Sequence, residues 1–409
     1  SINMVKKTYA TGKLIDIVTP ASNRIEPTCN LYGVCGGCQL QHITYEGQLS
    51  LKTQKVKDVI ERIGHQNPDL VKPALGPKNP WAYRNKMQMP VGGAKGDIQM
   101  GFYAMGSHDI VQGTNCPIQD EGNNTIAQVC YDIAKDLDIE PYDEHTGKGV
   151  LRHVIGRIGQ SGWMVILVTA TDYLLHQEQW IEKLTERIPQ VETIVHNVNG
   201  KRTNVILGPI NHVLYGDGTI TDHIKDLRFT LSPHSFFQVN PEQTTVLYDQ
   251  ALAYADLKGD ETVIDAYCGT GTISLFLAHK AKHVIGIEIV EPAIINAREN
   301  ARRNGYDNTE FIVADAAVEM PKLYKAGVRP DVIVFDPIRA GCKEEVLTSA
   351  AGMEPKRIVY VSCNPATMAR DIEILTYYGY KLKEVQPVDM FPMTAHVEAV
   401  ALLTRSKAM

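Results

Sequence analysis

The stretch "TVIDAYCGTGTISLFLA", Thr262 to Ala278, decides how the second half of the chain is read. Its apolar residues form a short strand signal ending at Asp265, and a loop with Gly269 and Gly271 then leads into a helix. The same unit recurs downstream: "HVIGIEIV" reaches Glu288, "TEFIVADAA" carries Asp315, "PDVIVFDPIRAG" carries Asp336, and "RIVYVSCNP" ends near Cys363. Each strand closes on a polar side chain. The alternation begins at residue 240, where "VNPEQTTVLYDQALAYADL" opens a helix on Asn240 with proline in the first turn. Strand and helix in alternation specify an α/β, Rossmann-like parallel sheet. Ligands of such sheets bind beyond the carboxyl ends of the strands, so these polar residues are expected in one crevice.

A glycine loop with an acidic residue after the second strand suits a dinucleotide. However, "DAYCGTGT" is D-x-x-x-G-x-G and not G-x-G-x-x-G, and Asp265 ahead of the loop would repel a pyrophosphate. S-adenosylmethionine has no phosphate and carries a sulfonium and an ammonium that Asp265 would attract. Glu288 would then bind the ribose hydroxyls and Asp315 the adenine edge. A lone aspartate at a strand end is as easily a helix cap, but three in register with a glycine loop point to a cofactor.

Working toward the N-terminus, the cysteines are unevenly placed. Four of the eight precede residue 117: Cys29, Cys35 and Cys38 in "CNLYGVCGGCQLQH", and Cys116 in "GTNCPIQ". Gly33, Gly36 and Gly37 allow the tight turns that several thiolates on one loop require. A four-sulfur set with only one C-x2-C pair leaves zinc and a [4Fe-4S] cluster as candidates and favours the cluster. Cys130, Cys268 and Cys342 read as buried structural thiols.

Charge divides the same way. Residues 1 to 117 hold 13 Lys and Arg against 8 Asp and Glu, a balance of +5, while the remaining 292 hold 28 against 39, a balance of -11. A basic front beside an acidic body would hold a polyanion at one defined place. "NPWAYRNKMQMPVGG" adds Trp81, Tyr83, Arg84, Asn85 and Lys86, the mixture of aromatic faces and cations that single-stranded RNA recognition uses, although an edge strand fits it equally. Small β elements are expected to about residue 117 and a helix over 119 to 139. Strands around "LRHVIGRIGQSGWMVILVTA", a helix near 176 to 188 and further strands to about 231 complete the middle third.

With these segments in hand, the chain resembles the bacterial RNA (uracil-5-)-methyltransferases, and within them the 23S rRNA branch. The resemblance runs from about Cys29 to Glu398 and is carried by the cysteine array, "SFFQVNP", "DAYCGTGT", "FDPIRAG", "SCNPATMARD" and "MFPMTAHVEAV". It implies the tail of an OB-like TRAM RNA-binding β-barrel over residues 1–28, incomplete because the sequence opens at Ser1. It further implies a central α+β domain with a [4Fe-4S] cluster over 29–231 and a methyltransferase domain over 232–409. By the same resemblance, Gln238, Tyr267, Thr272, Glu288, Asp315 and Asp336 contact S-adenosylmethionine, and Cys29, Cys35, Cys38 and Cys116 ligate the cluster. Cys363 is the nucleophile and Glu398 the base. Two departures stand out: Asp336-Pro337-Ile338-Arg339 where the family commonly has Asp-Pro-Pro-Arg, and Thr272 where an asparagine is common.

The chemistry explains why a thiol follows the "RIVYVS" strand. Carbon 5 of uracil is a poor nucleophile until a thiolate adds at carbon 6, which makes carbon 5 carbanion-like. A base must then remove the carbon 5 proton so that the thiolate is expelled, the task expected of Glu398. The target base must leave its stack to react, and Phe236 or Phe237 would stack on it, one of the two belonging to the core.

An exocyclic-amine methyltransferase would not need Cys363, a cytosine-5 enzyme would share the thiol, and a non-enzymatic iron-sulfur RNA-binding module would leave Cys363 and Glu398 without a task. Transfer to tRNA in place of 23S rRNA is a further alternative. The composition, with 44% hydrophobic and 22% charged residues and no long uncharged apolar run, is that of a globular, cytoplasmic protein without a membrane partner, expected as a monomer.

Overall fold

The computed structural model describes residues 1 to 405 and organises most of them on two seven-stranded sheets. An exposed hairpin of β1 (Ile2–Val5) and β2 (Ala10–Gly12) opens the chain. It is followed by α1 (Tyr45–Arg62), which begins where the Thr44 side chain accepts the Gly47 amide. A region expected to hold only small β elements thus contains an 18-residue helix. Its inward positions include Gln48, Lys52, Val56 and Ile60, and with two polar residues on that face the apolar period is too weak to read locally.

The first large sheet takes β3 (Lys86–Ala94), β4 (Asp97–Tyr103), β5 (Ile110–Gln112), β6 (Leu151–Ile158), β7 (Trp163–Thr169), β8 (Val191–Val198) and β9 (Ile210–Tyr215) in the order β5-β4-β3-β6-β7-β8-β9. All neighbours are antiparallel except β7 and β8. That parallel pair needs a crossover, which α3 (Gln177–Arg187) supplies, while α2 (Glu121–Asp136) covers β6. Both helices lie where the apolar spacing puts them. A hairpin of β10 (Ile220–Ile224) and β11 (Leu227–Leu231) follows.

From α4 (Pro241–Ala255) the alternation is regular: β12 (Thr262–Asp265), α5 (Thr272–Ala278), β13 (His283–Glu288), α6 (Glu291–Arg303), β14 (Thr309–Val313), α7 (Ala316–Lys325), β15 (Val332–Phe335), α8 (Glu344–Met353), β16 (Arg357–Ser362) and α9 (Pro365–Tyr377). Two long strands, β17 (Tyr380–Val388) and β18 (Glu398–Arg405), close the sheet. The order is β14-β13-β12-β15-β16-β18-β17, parallel from β14 to β16 and antiparallel at β18. Helices cover both faces, which is why strands such as "VIVF" are buried throughout. The order reverses between β12 and β15, the position where open α/β sheets leave a crevice.

The two sheets share a core. On one face, Ile155, Ile166 and Val195 of the first sheet join Phe229 and Leu231 of the hairpin and Val263 and Val359 of the second sheet. On the other face, Val56 and Ile60 of α1 pack with Met368 and Ile372 of α9. Val71 and Leu75 then bridge Val385 and Val388 of β17, so the segment after α1 also lies against the second sheet. Among the described residues no helix is long and apolar enough to cross a membrane.

Candidate active site

Cys363 lies between the last residue of β16 and Asn364, the cap of α9. The turn is held by the Asn364 amide donating to Ser362 Oγ (3.0 Å) and the Ala366 amide donating to Asn364 Oδ1 (3.3 Å). Asn364 Nδ2 (2.9 Å) and Thr367 Oγ1 (3.2 Å) both donate to the Arg339 carbonyl, which ties the loop after β15 to the cysteine turn. The buried Asp371 carboxylate fixes the far end of that loop, accepting from the Cys342 amide (2.8 Å) and the Tyr360 hydroxyl (2.6 Å). Glu398 reaches the same place through strand register. Ser362 pairs with Ala399 at the end of the antiparallel ladder, so the next residue of each segment, Cys363 and Glu398, comes to the same end of the two strands, close enough for the Glu398 charge to act on the thiol.

The three acidic groups here share one field. Glu398 is only 5% exposed, and burial pushes its carboxyl up to about 7 against the pull of the Arg339 guanidinium. Burial, with the charges of Glu398 and Asp265, raises Asp336 well above the usual carboxylate range. The Cys363 thiol is raised by burial and then by Glu398 and Asp336, with Arg339 opposing. A thiol beside a carboxyl raised to about 7, with the Arg339 charge acting on both, suits nucleophilic addition followed by proton removal. Sequence reasoning gave Arg339 no such task, although it stands inside "FDPIRAG". Ile338 beside it is 77% exposed, so the departure from proline places an apolar side chain at the surface of the crevice loop.

At the β12 end, Gly269 (φ 54°) and Gly271 (φ 82°) adopt the left-handed conformation. A Cβ on Gly271 would stand 3.1 Å from Ala297 Cβ and 3.3 Å from Phe311 Cζ, whereas one on Gly269 would meet open space. Glu288 turns toward this loop and accepts from the Gly269 amide (3.3 Å) and the Val290 amide (2.9 Å). Asp315 caps α7 through the Ala317 amide (2.9 Å) and accepts from Lys343 Nζ (2.9 Å), and together these hold its carboxyl below the usual range. The helix-cap role and the crevice position therefore coincide in Asp315. Asp265 is fully buried. Its Oδ2 accepts from Ser274 Oγ (2.6 Å), its Oδ1 has no partner, and burial pushes it up to about 6. A glycine cradle lined by carboxylates, one with an orphaned oxygen, fits a cationic, phosphate-free ligand.

Thr272, at the start of α5, lies 3.1 Å from the hydroxyl of Tyr248, a buried residue of α4 within reach of the charges on Asp336 and Glu398. No sequence signal marks Tyr248. Tyr267 is half-buried beside Cys342. The Gln238 loop is pinned by the Asn85 amide donating to the Val239 carbonyl (2.9 Å) and Asn240 Nδ2 donating to the Met390 carbonyl (3.1 Å). Of the two phenylalanines ahead of it, Phe237 is buried with its ring 5.5 Å from Phe229, while Phe236 is 73% exposed.

The expectation of RNA contact by the Trp81 to Lys86 segment changes. Tyr83 and Asn85 are buried, with the Tyr83 hydroxyl donating to the Pro392 carbonyl (3.1 Å). Arg152 and Arg157 of "RHVIGR" are buried as well, and Arg157 donates to the Ser235 carbonyl (2.6 Å) ahead of the Gln238 loop. These polar groups serve internal partners: Tyr83, Arg152 and Arg157 donate to carbonyls and Asn85 Nδ2 to the Asp222 carboxylate.

Cys29, Cys35, Cys38 and Cys116 are partly buried free thiols on two neighbouring loops. Burial pushes Cys38 up to about 11, with Cys116, Cys35 and Cys29 each adding to the rise. Cys38 and Cys116 pack on Trp81, Tyr83 and Met393. Among the described residues no three His, Cys, Asp or Glu side chains form a group that would hold a metal ion.

A switch-point crevice with this cradle and a nearby thiol defines an S-adenosylmethionine-dependent methyltransferase. The profile of the tRNA (uracil-5-)-methyltransferases matches residues 181–406. An uncharacterized RNA methyltransferase of Halalkalibacterium halodurans is 51% identical over 401 residues, covering 98% of this chain and 88% of that protein. One from Clostridium tetani is 50% identical over 407 residues with the same coverage. Among solved structures, the Pyrococcus abyssi tRNA (uracil-54, C5)-methyltransferase in complex with S-adenosyl-L-homocysteine superimposes with a TM-score of 0.79 at 26% identity, over 99% of this chain and 92% of that one. The chain belongs to the RNA (uracil-5-)-methyltransferase family.

Proposed function

We propose that this protein methylates carbon 5 of one or two uridines in 23S rRNA, through covalent addition of Cys363 to the base and proton removal by Glu398. The observation that carries this reading is the end of the β16–β18 ladder, which brings a thiol and a buried carboxyl to one place where the charges of Glu398 and Arg339 act on the thiol. S-adenosylmethionine supplies an electrophilic methyl group and departs as S-adenosylhomocysteine. Cys363 Sγ, its proton lost to solvent, adds as thiolate to carbon 6 of the uracil, and the displaced electron pair makes carbon 5 the atom that takes the methyl. Glu398 then takes the carbon 5 proton, the carbon 5–carbon 6 double bond re-forms, and the carbon–sulfur bond breaks to release the thiolate. Asp336 and Gln238 orient ring and cofactor. Tyr267, Thr272, Glu288 and Asp315 line the cofactor's side of the crevice, and the exposed Phe236 is the stacking face for the flipped base.

In the same reading Cys29, Cys35, Cys38 and Cys116 hold a [4Fe-4S] cluster. The donor set is all thiol, four partly buried cysteines on two neighbouring loops, and these residues would hold the cluster. The cluster's role is structural, tying the Cys29 loop to the Cys116 loop. Residues 1–28 form part of a TRAM-type RNA-binding domain, residues 29–231 the cluster domain and residues 232–409 the catalytic domain of a cytoplasmic monomer. Likeness to the P. abyssi enzyme favours a second reading in which the substrate is a tRNA.

The test is nucleoside mass spectrometry on 23S rRNA and tRNA transcripts incubated with labelled S-adenosylmethionine, comparing the intact protein with Cys363→Ala. Label in 5-methyluridine of 23S rRNA with the intact protein alone is the expected result. Label only in tRNA supports the second reading, and methyl transfer by Cys363→Ala overturns the thiol mechanism.

A further inference from the structure

Glu398 is the first residue of β18, and the nine residues before it form a strap, "DMFPMTAHV", that crosses from β17. A strap of this length would sway if it were free, yet its backbone is held almost residue by residue from the front of the chain. Asp389 is fully buried and pairs with the buried Lys52 of α1 (2.5 Å), which also donates to the Phe391 carbonyl (3.0 Å). Tyr45 donates to the other oxygen of Asp389 (3.1 Å). Gln48 accepts from the Met393 amide (3.0 Å), and the Gln39 and Leu40 amides both donate to the Met393 carbonyl (3.0 Å each). Met393 is held at a φ of 68°, a conformation a non-glycine residue keeps only when its surroundings impose it. Closer to Glu398, the Ala395 amide donates to Gln39 Oε1 (3.2 Å) and its carbonyl accepts from Lys55 Nζ (2.9 Å).

We infer that α1 and the loop after Cys38 form a clamp that sets the position of Glu398, with Lys52 and Asp389 as its buried pin and Gln39 and Lys55 as its outer ties; this rests on Glu398 being the base. A buried ion pair far from the reacting atoms contributes little net stability, and removing one partner alone leaves an uncompensated charge. What the pair does supply is a fixed geometry, because Lys52 joins α1 to two points of the strap at once. Lys52, Gln39 and Lys55 touch no substrate atom in this account. They are positioning residues, and they act on the step Glu398 performs.

That step has its own signature. Proton removal follows methyl transfer, so displacing Glu398 stalls the protein as a methylated, covalent Cys363–RNA adduct. General loss of folding would lower adduct formation and breakdown together. The experiment uses the full chain with labelled S-adenosylmethionine and the RNA identified as substrate, following denaturant-resistant protein–RNA adduct and free 5-methyluridine over time. Lys52→Met with Asp389→Asn removes the pin without leaving a charge. Gln39→Ala with Lys55→Ala cuts the outer ties at one partly buried and one exposed position without touching the buried pair, so that a folding failure of the first pair leaves the second as the test. Glu398→Gln is the control.

The expected result is accumulation of labelled adduct in both double variants, with breakdown slowed about 100-fold without the pin and about tenfold without the outer ties, while single-turnover methyl transfer stays within about threefold. If Glu398→Gln accumulates adduct and both folded double variants turn it over at the normal rate, or lose methyl transfer and breakdown equally, the clamp is overturned. If Glu398→Gln itself accumulates no adduct, the base assignment fails instead, and with it the reading on which the clamp rests.

Discussion

Replacing Glu398 by glutamine tests the site by stability and by chemistry at once. The carboxyl is pushed from an ordinary 4.5 up to about 7 by burial. A group whose folded value is raised stabilises the fold fully below its unfolded value and loses that contribution as pH rises through the folded value. Integrating between the two values, ionised Glu398 costs the folded state about 3 kcal/mol at pH 8 and about 1 kcal/mol at pH 5. Glutamine cannot ionise, so Glu398→Gln is expected to gain about 2 kcal/mol more stability over the native protein at pH 8 than at pH 5, while adduct breakdown is lost. In the native protein, breakdown should rise about tenfold between pH 6 and pH 8 as the base ionises. Urea unfolding at both pH values and quenched-flow decay of the adduct supply the two readouts. Equal stability differences at both pH values, together with a decay rate that does not change with pH, would refute the assignment of a buried, proton-accepting Glu398.

Three other outcomes follow from the same coordinates. Gly271→Ala forces a left-handed residue and a Cβ against Ala297 and Phe311, so affinity for S-adenosylhomocysteine should fall at least tenfold by calorimetry; unchanged affinity would separate the loop from cofactor binding. Arg339→Ala removes the cation that opposes the rise of the Cys363 thiol, and iodoacetamide labelling of Cys363 near pH 8 should slow several-fold, an effect that added salt should reduce. Under the proposed [4Fe-4S] site, Cys35→Ser should abolish visible absorption of the reconstituted protein and lower RNA affinity or thermal stability; a well-folded variant with normal RNA affinity but no methyl transfer would contradict a structural role.

The sheet was legible because its strands are short apolar runs ended by glycine or a charged residue, a pattern fixed by covering both faces. That the polar strand ends Asp265, Glu288, Asp315 and Asp336 lie along one edge of the sheet was legible for a related reason: topology alone brings the carboxyl ends of parallel strands together. Helix α1 was not legible, since its buried face carries Gln48 and Lys52, and nothing within the helix indicates that a carboxylate 337 positions away will neutralise the lysine. Tyr83 and Asn85 misled for the opposite reason, as side chains typical of RNA-binding surfaces that turn inward to the Pro392 carbonyl and to Asp222.

The sequence by itself determined the alternation of strand and helix, the polar strand ends, the cysteine array and the family to which these segments belong, because each rests on local period or on spacing. Only the tertiary structure decided that Glu398 faces Cys363, that Asp315 is cap and crevice residue at once, and that the strap before Glu398 is gripped from α1. Those facts depend on register and burial, which arise when distant segments share one core and the charge left inside it must find its partner.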